Sequence, residues 1–139
     1  MPINGSCFCG AVRYQISGRL RNARSCHCSM CRKAFSAQAS AYALVEPDEF
    51  TWVSGASLLT SYESKDGAGL QFCSICGSTI SGTHEGKVRG VTLGCVEGDP
   101  EVSLEMHLFV GSKAPWETIP EGVPQYDKWP PTGSKPEGG

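Results

Sequence analysis

The sequence predicts a small all-β domain, and three observations carry this prediction. Apolar and polar residues alternate over short segments, as in Val12, Tyr14 and Ile16, and a period of two is typical of a strand with one buried face. Turn residues such as glycine and proline separate these segments. No segment shows the sustained 3.6-residue period of a long helix. With 139 residues, the chain is long enough for one domain with a modest core.

The remaining elements follow in chain order. Residues 18–24 are polar and predict a turn, and residues 32–35 predict one short helical turn. Further strands are expected at residues 37–45, 50–53, 58–62, 70–72, 79–81, 88–96 and 104–110. Six of the nine prolines lie from Pro115 to Pro136, so this segment is expected to wrap the domain in extended form. We predict one domain over residues 1–131 and a flexible tail over residues 132–139.

Charge and hydropathy narrow the classes of partner. The 12 basic and 14 acidic side chains give a formal charge of −2, and such a chain lacks the basic surface of a nucleic-acid binder. No apolar stretch has the length of a membrane span or the pattern of a secretory signal. We therefore expect a soluble, cytoplasmic protein with reduced thiols and no membrane partner. The oligomeric state stays open.

A cluster of three cysteines is the most informative local feature. Cys26, Cys28 and Cys31 lie so close in sequence that their thiolates would repel one another unless a cation, usually Zn²⁺, lay among them. A structural zinc site normally has four protein ligands, whereas a catalytic one keeps a position open. Our central hypothesis is a zinc ion on these three sulfurs with one free coordination position.

Two further cysteine pairs together supply four thiolates. Cys7 and Cys9 are two residues apart, so in extended backbone their side chains point the same way. Cys73 and Cys76 form a CxxC turn followed by Gly77, which suits a zinc knuckle. These four predict a structural zinc site that ties early and middle strands together. Such a site contributes on the order of 10 kcal/mol to folding.

The eighth cysteine leaves an alternative open. Cys95 could be a fourth ligand to the central three and so close a second structural site. It follows the apolar alternation of Val91 and Leu93, however, where a lone cysteine usually packs as a small core residue. A second alternative is a thiol redox sensor, because crowded thiols of low pKa oxidise readily.

Charged and histidine side chains flank the cluster. Arg24, Arg32 and Lys33 could offset the negative charge of a three-thiolate zinc or hold the carboxylates of a substrate; the alternative is solvated surface charge. His27 lies between two ligands, so its side chain should point away from the metal and support the ligands or lie at the surface. His107 belongs to a predicted strand, and its role is open.

Three cysteine motifs together resemble a known family. They are Cys7-Phe8-Cys9-Gly10, Cys26-His27-Cys28-Ser29-Met30-Cys31-Arg32-Lys33 and Cys73-Ser74-Ile75-Cys76-Gly77. In this order and spacing they resemble the glutathione-dependent formaldehyde-activating enzymes, also called the GFA or CENP-V domain family. Residues 106–116 are similar to that family's closing strand and loop, and residues 124–127 to its proline-flanked tail. The resemblance runs from about residue 5 to residue 131.

The resemblance implies fold, metals and activity. It implies an Mss4-like, all-β fold, a zinc-stabilised β-sandwich or β-tent. It implies a structural zinc on Cys7, Cys9, Cys73 and Cys76 and a catalytic zinc on Cys26, Cys28 and Cys31. The implied reaction is that of a carbon–sulfur lyase, which combines glutathione with formaldehyde to give S-hydroxymethylglutathione. The competing reading is a zinc-stabilised binding module without catalysis.

Overall fold

The computed structural model describes residues 2–131, and most of its regular secondary structure is β-strand in two sheets, so the predicted all-β class is confirmed. The predicted tail over residues 132–139 lies outside the described residues. Within residues 2–131 there are ten strands: Ile3–Ser6 (β1), Arg13–Ile16 (β2), Arg21–Cys26 (β3), Tyr42–Leu44 (β4), Phe50–Ser54 (β5), Leu59–Glu63 (β6), Ala68–Cys73 (β7), Thr79–His84 (β8), Lys87–Thr92 (β9) and Met106–Leu108 (β10). One α-helix, Ser29–Phe35 (α1), follows β3.

The strands form two sheets. The smaller sheet has the order β1-β2-β5 and is antiparallel, and the larger has the order β10-β3-β4-β9-β8-β7-β6. Strand β10 pairs with β3 in parallel, with Met106 opposite Arg24 and Leu108 opposite Cys26. The other pairings of the larger sheet are antiparallel. The parallel pair brings two segments that are distant in sequence to the edge of the sheet where the central cysteines begin.

The main core lies where the two sheets face each other. The predicted alternation is confirmed here, because Val12, Tyr14 and Ile16 are all completely or almost completely buried. Ile80 on β8 and Val91 on β9 are buried in the same cluster. Burial of such a side chain contributes about 1.5–3 kcal/mol each. This core supports the strands that carry the cysteines.

Several elements differ from the sequence-based expectation. The predicted turn over residues 18–24 was wrong in part, because strand β3 begins at Arg21. The polar residues of β3 pair with strands on both sides, and local periodicity does not report this pairing. Strand β1 was not predicted. The helical turn predicted for residues 32–35 is confirmed, but it begins earlier, at Ser29.

Three predicted strands are shorter than expected, and the one over residues 104–110 is reduced to Met106–Leu108. Of residues 37–45, only Tyr42–Leu44 forms a strand. Strand β9 ends at Thr92, and the predicted continuation is a 3₁₀ turn over Leu93–Cys95. The proline-rich segment pairs with β10: the backbone N–H of His107 donates to Pro124 O at 2.8 Å. Among the described residues, no helix is long and apolar enough to cross a membrane.

Candidate metal centres and active site

The first cysteine group brings together both pairs predicted from the sequence. Cys7 and Cys9 lie between β1 and β2, Cys73 ends β7, and Cys76 lies in the turn before β8. Their four sulfur atoms all lie within 4.8 Å of one another, with Sγ–Sγ distances of 3.6 Å for Cys7–Cys9 and 3.9 Å for Cys9–Cys73. A tetrahedral zinc with Zn–S bonds of about 2.3 Å needs sulfurs about 3.8 Å apart. The donors and spacing therefore fit zinc, whereas a disulfide needs about 2.05 Å.

Backbone groups stabilise these sulfurs. The N–H of Val12 donates to Cys7 Sγ at 3.3 Å, and the N–H of Ile75 donates to Cys73 Sγ at 3.4 Å. The φ angle of Gly77 is +83°, a conformation that glycine adopts without steric cost, and its N–H closes the turn onto Cys73 O at 2.8 Å. Hydrogen bonds from Ser78 lower the pKa of Cys76 to about 5. These contacts favour the thiolate form of Cys76, which is the form that binds metal.

The second cysteine group contains three sulfurs. Cys26 is the last residue of β3, Cys28 is the N-cap of α1, and Cys31 lies in the first helical turn. Their Sγ atoms all lie within 4.8 Å of one another, and among residues 2–131 no other His, Cys, Asp or Glu donor joins the group. We call these three residues the trio. A set of three soft donors is the kind of site that holds zinc with a position open.

Cys95 lies elsewhere, so the alternative of a fourth trio ligand is not what the structure shows. Its 3₁₀ turn packs against the main core, and its thiol lies 3.6 Å from Thr79 O. The negative charges that raise its pKa, after burial, come from Cys7 and Cys76 of the four-cysteine group. The cysteine behaves as the small core residue that its apolar neighbours predicted.

Hydrogen bonds between the thiols polarise the trio. Donation from Cys26 and Cys31 lowers the pKa of Cys28, and the backbone N–H of Cys31 lies 3.4 Å from Cys28 Sγ. The same contacts, together with burial, raise the pKa of Cys26. Among the three sulfurs, the shared protons therefore favour the thiolate of Cys28 over that of Cys26. A cation at their centre would replace these protons and stabilise all three as thiolates.

An apolar cluster lies beside the trio. Its buried members Tyr42 and Leu108 contact Cys26, and partly buried residues pack around them: Leu44, Met106, Phe109, Tyr126 and Trp129. The rings of Phe109 and Trp129 are 5.0 Å apart and almost perpendicular. Strand β4, strand β10 and the proline-rich segment thus supply one wall of the candidate active site. Such a wall limits access of water to one side of the sulfurs.

The three basic residues predicted near the cluster occupy different environments. Arg24 is completely buried: its Nε donates to Asn22 O at 2.8 Å, and its guanidinium lies 5.9 Å from the centre of the Tyr42 ring. Both of its Nη atoms are buried without a hydrogen-bond partner. Solvated surface charge is therefore the wrong reading for Arg24, and its burial keeps it from a substrate carboxylate in this conformation. Arg32 donates to Ser112 O at 3.3 Å, and Lys33 is exposed on α1.

The two histidines whose roles the sequence left open contact each other. Nε2 of His27 lies 3.0 Å from Nδ1 of His107, and Nδ1 of His27 lies 2.9 Å from Oε1 of Glu117. Both histidines are buried, so His27 is not a surface residue. Sequence reasoning missed Glu117 and Tyr42. Strand pairing brings Tyr42 to the trio, and Glu117 contacts His27 from a loop, so local sequence carried no signal for either role.

Comparisons with known proteins agree with the geometry. The family model described as glutathione-dependent formaldehyde-activating enzyme matches residues 2–112. The crystal structure of a Rhodobacter sphaeroides protein is similar, with 30% sequence identity and a TM-score of 0.53. That similarity covers 68% of this chain and 88% of the Rhodobacter chain. A search of the curated proteins found no match.

Proposed function

Since the chain belongs to the glutathione-dependent formaldehyde-activating enzyme family, we propose that it is a zinc-dependent carbon–sulfur lyase. Its substrates would be an aldehyde and glutathione or a related small thiol, and its product an S-hydroxymethylglutathione-like adduct. The observation that carries the proposal is the contrast between the two cysteine groups: one offers four sulfurs, and the trio offers three with no further donor among the described residues. The four-cysteine group would hold a structural zinc and the trio a catalytic one.

The reaction joins a thiol to a carbonyl carbon. The sulfur–hydrogen bond breaks, a sulfur–carbon bond forms, and the carbonyl oxygen gains a proton; the reverse direction releases the aldehyde. Zinc on the trio would supply a Lewis acid that lowers the pKa of an incoming thiol. Cys26, Cys28 and Cys31 would hold that ion beside the apolar wall. Because such adducts also form without a catalyst, the main contribution of the site would be to bring both substrates together.

The three basic residues would have two different roles. Arg24, buried next to the trio, would offset the net negative charge of three thiolates around a divalent ion. Arg32 and Lys33 lie on the helix that carries Cys28 and Cys31, and they would contact the carboxylates of a peptide thiol. Zinc thiolates and a glutathione-type substrate both suit a reducing compartment, so we place the protein in the cytoplasm.

The experiment compares the enzyme with two cysteine variants. Two-dimensional exchange NMR of glutathione and formaldehyde gives the rate of adduct formation, with zinc content measured on the same samples. We expect the wild type to bind two zinc ions per chain and accelerate exchange. Cys28→Ser should retain one ion and lose the acceleration, whereas Cys95→Ser should retain both properties.

Each contrary result would indicate a different function or site. Two bound zinc ions without acceleration of any thiol and aldehyde pair would overturn the lyase and leave a zinc-stabilised binding module. Reversible disulfides in the trio, with zinc release under mild oxidant and no catalysis, would instead support a thiol redox sensor. Equal catalysis by wild type and Cys28→Ser would show that the reaction occurs away from the trio.

A further inference from the structure

Two buried histidines and a largely buried glutamate form an unbroken hydrogen-bonded chain beside the trio. Glu117 contacts His27 at 2.9 Å, and His27 contacts His107 at 3.0 Å. The side chains of His27 and Glu117 are 1% and 12% exposed, and His107 is 8% exposed. Burial of polar groups costs free energy unless they are paired, so a chain of this kind needs a structural reason. The proposed lyase reaction gives none of the three a role.

The geometry gives the hydrogen-bonded chain one order of donors and acceptors. With Glu117 as a carboxylate, Nδ1–H of His27 donates to Oε1, and Nε2 of His27 then accepts from Nδ1–H of His107. Burial is the largest effect on the pKa of His107 and lowers it, which favours the neutral ring near pH 7. Both imidazole rings are thereby held in one tautomer and one orientation.

The chain anchors the segment between two trio ligands to distant parts of the fold. His27 is the residue between Cys26 and Cys28, and its two side-chain partners lie 90 and 80 positions away in sequence. Its backbone N–H also donates to Leu108 O on β10 at 2.8 Å. The ligand segment is thus held through both its backbone and the intervening side chain.

The four-cysteine group lacks this anchor. Phe8 is the residue between Cys7 and Cys9, and it is 91% exposed, with its backbone N–H bound to Ser78 Oγ at 2.8 Å. A site with four ligands closes around its ion. A site with three ligands has fewer constraints of its own, so external groups must hold its donors in place.

We propose that Glu117, His27 and His107 are positioning residues that hold Cys26 and Cys28 in the geometry of metal binding. This inference rests on the proposed binding of metal by the trio. Without the chain, the Cys26–Cys28 segment would sample other orientations, and ordering it would oppose binding. Loss of groups that orient ligands typically weakens metal binding by about 10- to 100-fold.

The test replaces His107, whose hydrogen bonds within the described residues are to His27, Pro124 and Tyr126. In His107→Leu the chain is cut, whereas in His107→Asn the amide nitrogen occupies the position of Nδ1 and can still donate to His27. Phe8→Leu is the matched control at the other cysteine group. Zinc affinity is measured by competition with a chelator, and cobalt(II) loading reports the thiolate environment through its absorption spectrum.

We expect His107→Leu to weaken the more labile zinc by about 10-fold or more and to change the cobalt spectrum. His107→Asn should recover most of the affinity, and Phe8→Leu should match the wild type. Should His107→Leu not fold, Glu117→Met, which removes the oxygen that accepts from His27 at a similar size, should show the same weakening. If the variants that cut the hydrogen-bonded chain kept wild-type zinc affinity and cobalt spectra, this inference alone would be overturned. A wild type that binds a single ion would overturn the proposed function as well.

Discussion

Replacement of Arg24 by methionine should separate the stability of the fold from the affinity for metal. Both Nη atoms of Arg24 are buried without partners, and each such group costs about 1–3 kcal/mol. Methionine has a similar length and removes this cost, although it also loses the bond to Asn22 O, which is worth about 1 kcal/mol. We therefore expect metal-free Arg24→Met to be at least as stable as the metal-free wild type.

The effect on metal binding should have the opposite sign. Three thiolates around Zn²⁺ carry a net charge of −1, which the Arg24 guanidinium offsets. Arg24 and Cys26 are two residues apart on β3, so their Cα atoms lie about 7 Å apart. With the guanidinium and the centre of the trio at the same separation as these Cα atoms, unit charges interact by about 2 kcal/mol at an effective dielectric constant of 20. Loss of this attraction corresponds to about 30-fold weaker zinc binding.

The assay combines denaturant unfolding of the metal-free proteins with chelator competition for zinc. Arg21→Met is the control on the same strand, because Arg21 forms an ion pair with Glu46 at 2.8 Å in which both side chains are about half exposed. Its loss should change stability by less than about 1 kcal/mol and leave zinc affinity unchanged. Arg24→Met with wild-type zinc affinity and reduced metal-free stability would refute the reasoning.

Three further predictions concern the metals and the packing. Cys73→Ser should leave most of the chain unfolded by circular dichroism, because structural zinc contributes about 10 kcal/mol and the whole domain has about 5–15; a folded variant with one zinc would contradict this. Gly5→Ala should cost about 1–3 kcal/mol in denaturant unfolding, because the new Cβ would lie 2.1 Å from Cζ of the buried Tyr14 ring, whereas Gly94→Ala, with no atom within 4 Å, should be neutral. As pH falls, protons compete with metal for the thiolates, so zinc should leave in two steps. The trio should lose its zinc first, and the four-cysteine group should lose its zinc at lower pH. Zinc release in a single step, measured with a chelator as pH is lowered, would argue against unequal sites.

Local features could be predicted from the sequence. Spacings of two and three residues bring cysteine sulfurs together whatever the rest of the chain does, so the trio and each pair of the other group were recognisable from spacing. The meeting of the two pairs depends on the fold, because Cys9 and Cys73 are 64 positions apart. Alternation likewise revealed β2 and its buried Tyr14 and Ile16. These signals lie within a few residues of the feature they report.

Nonlocal features could not be predicted. Strand β3 looks like a polar turn, and its polar residues become buried only because β4 and β10 pair on either side. The parallel pairing of β10 places His107 opposite Ser25 and within reach of His27, 80 positions away. Glu117 joins them from a loop. No period in a single sequence encodes such a meeting, which depends on the register of the finished sheet.

The two cysteine groups differ in how much chain each one encloses. The trio lies within residues 26–31, so its sulfurs leave the ribosome almost together, and an ion can bridge them before β4 and the later strands are made. The other group needs Cys76 before its first two sulfurs have all their partners. During synthesis the short loop is thus ready for its ion first. The four-cysteine group, which joins the two sheets, is complete only after β7 has been translated.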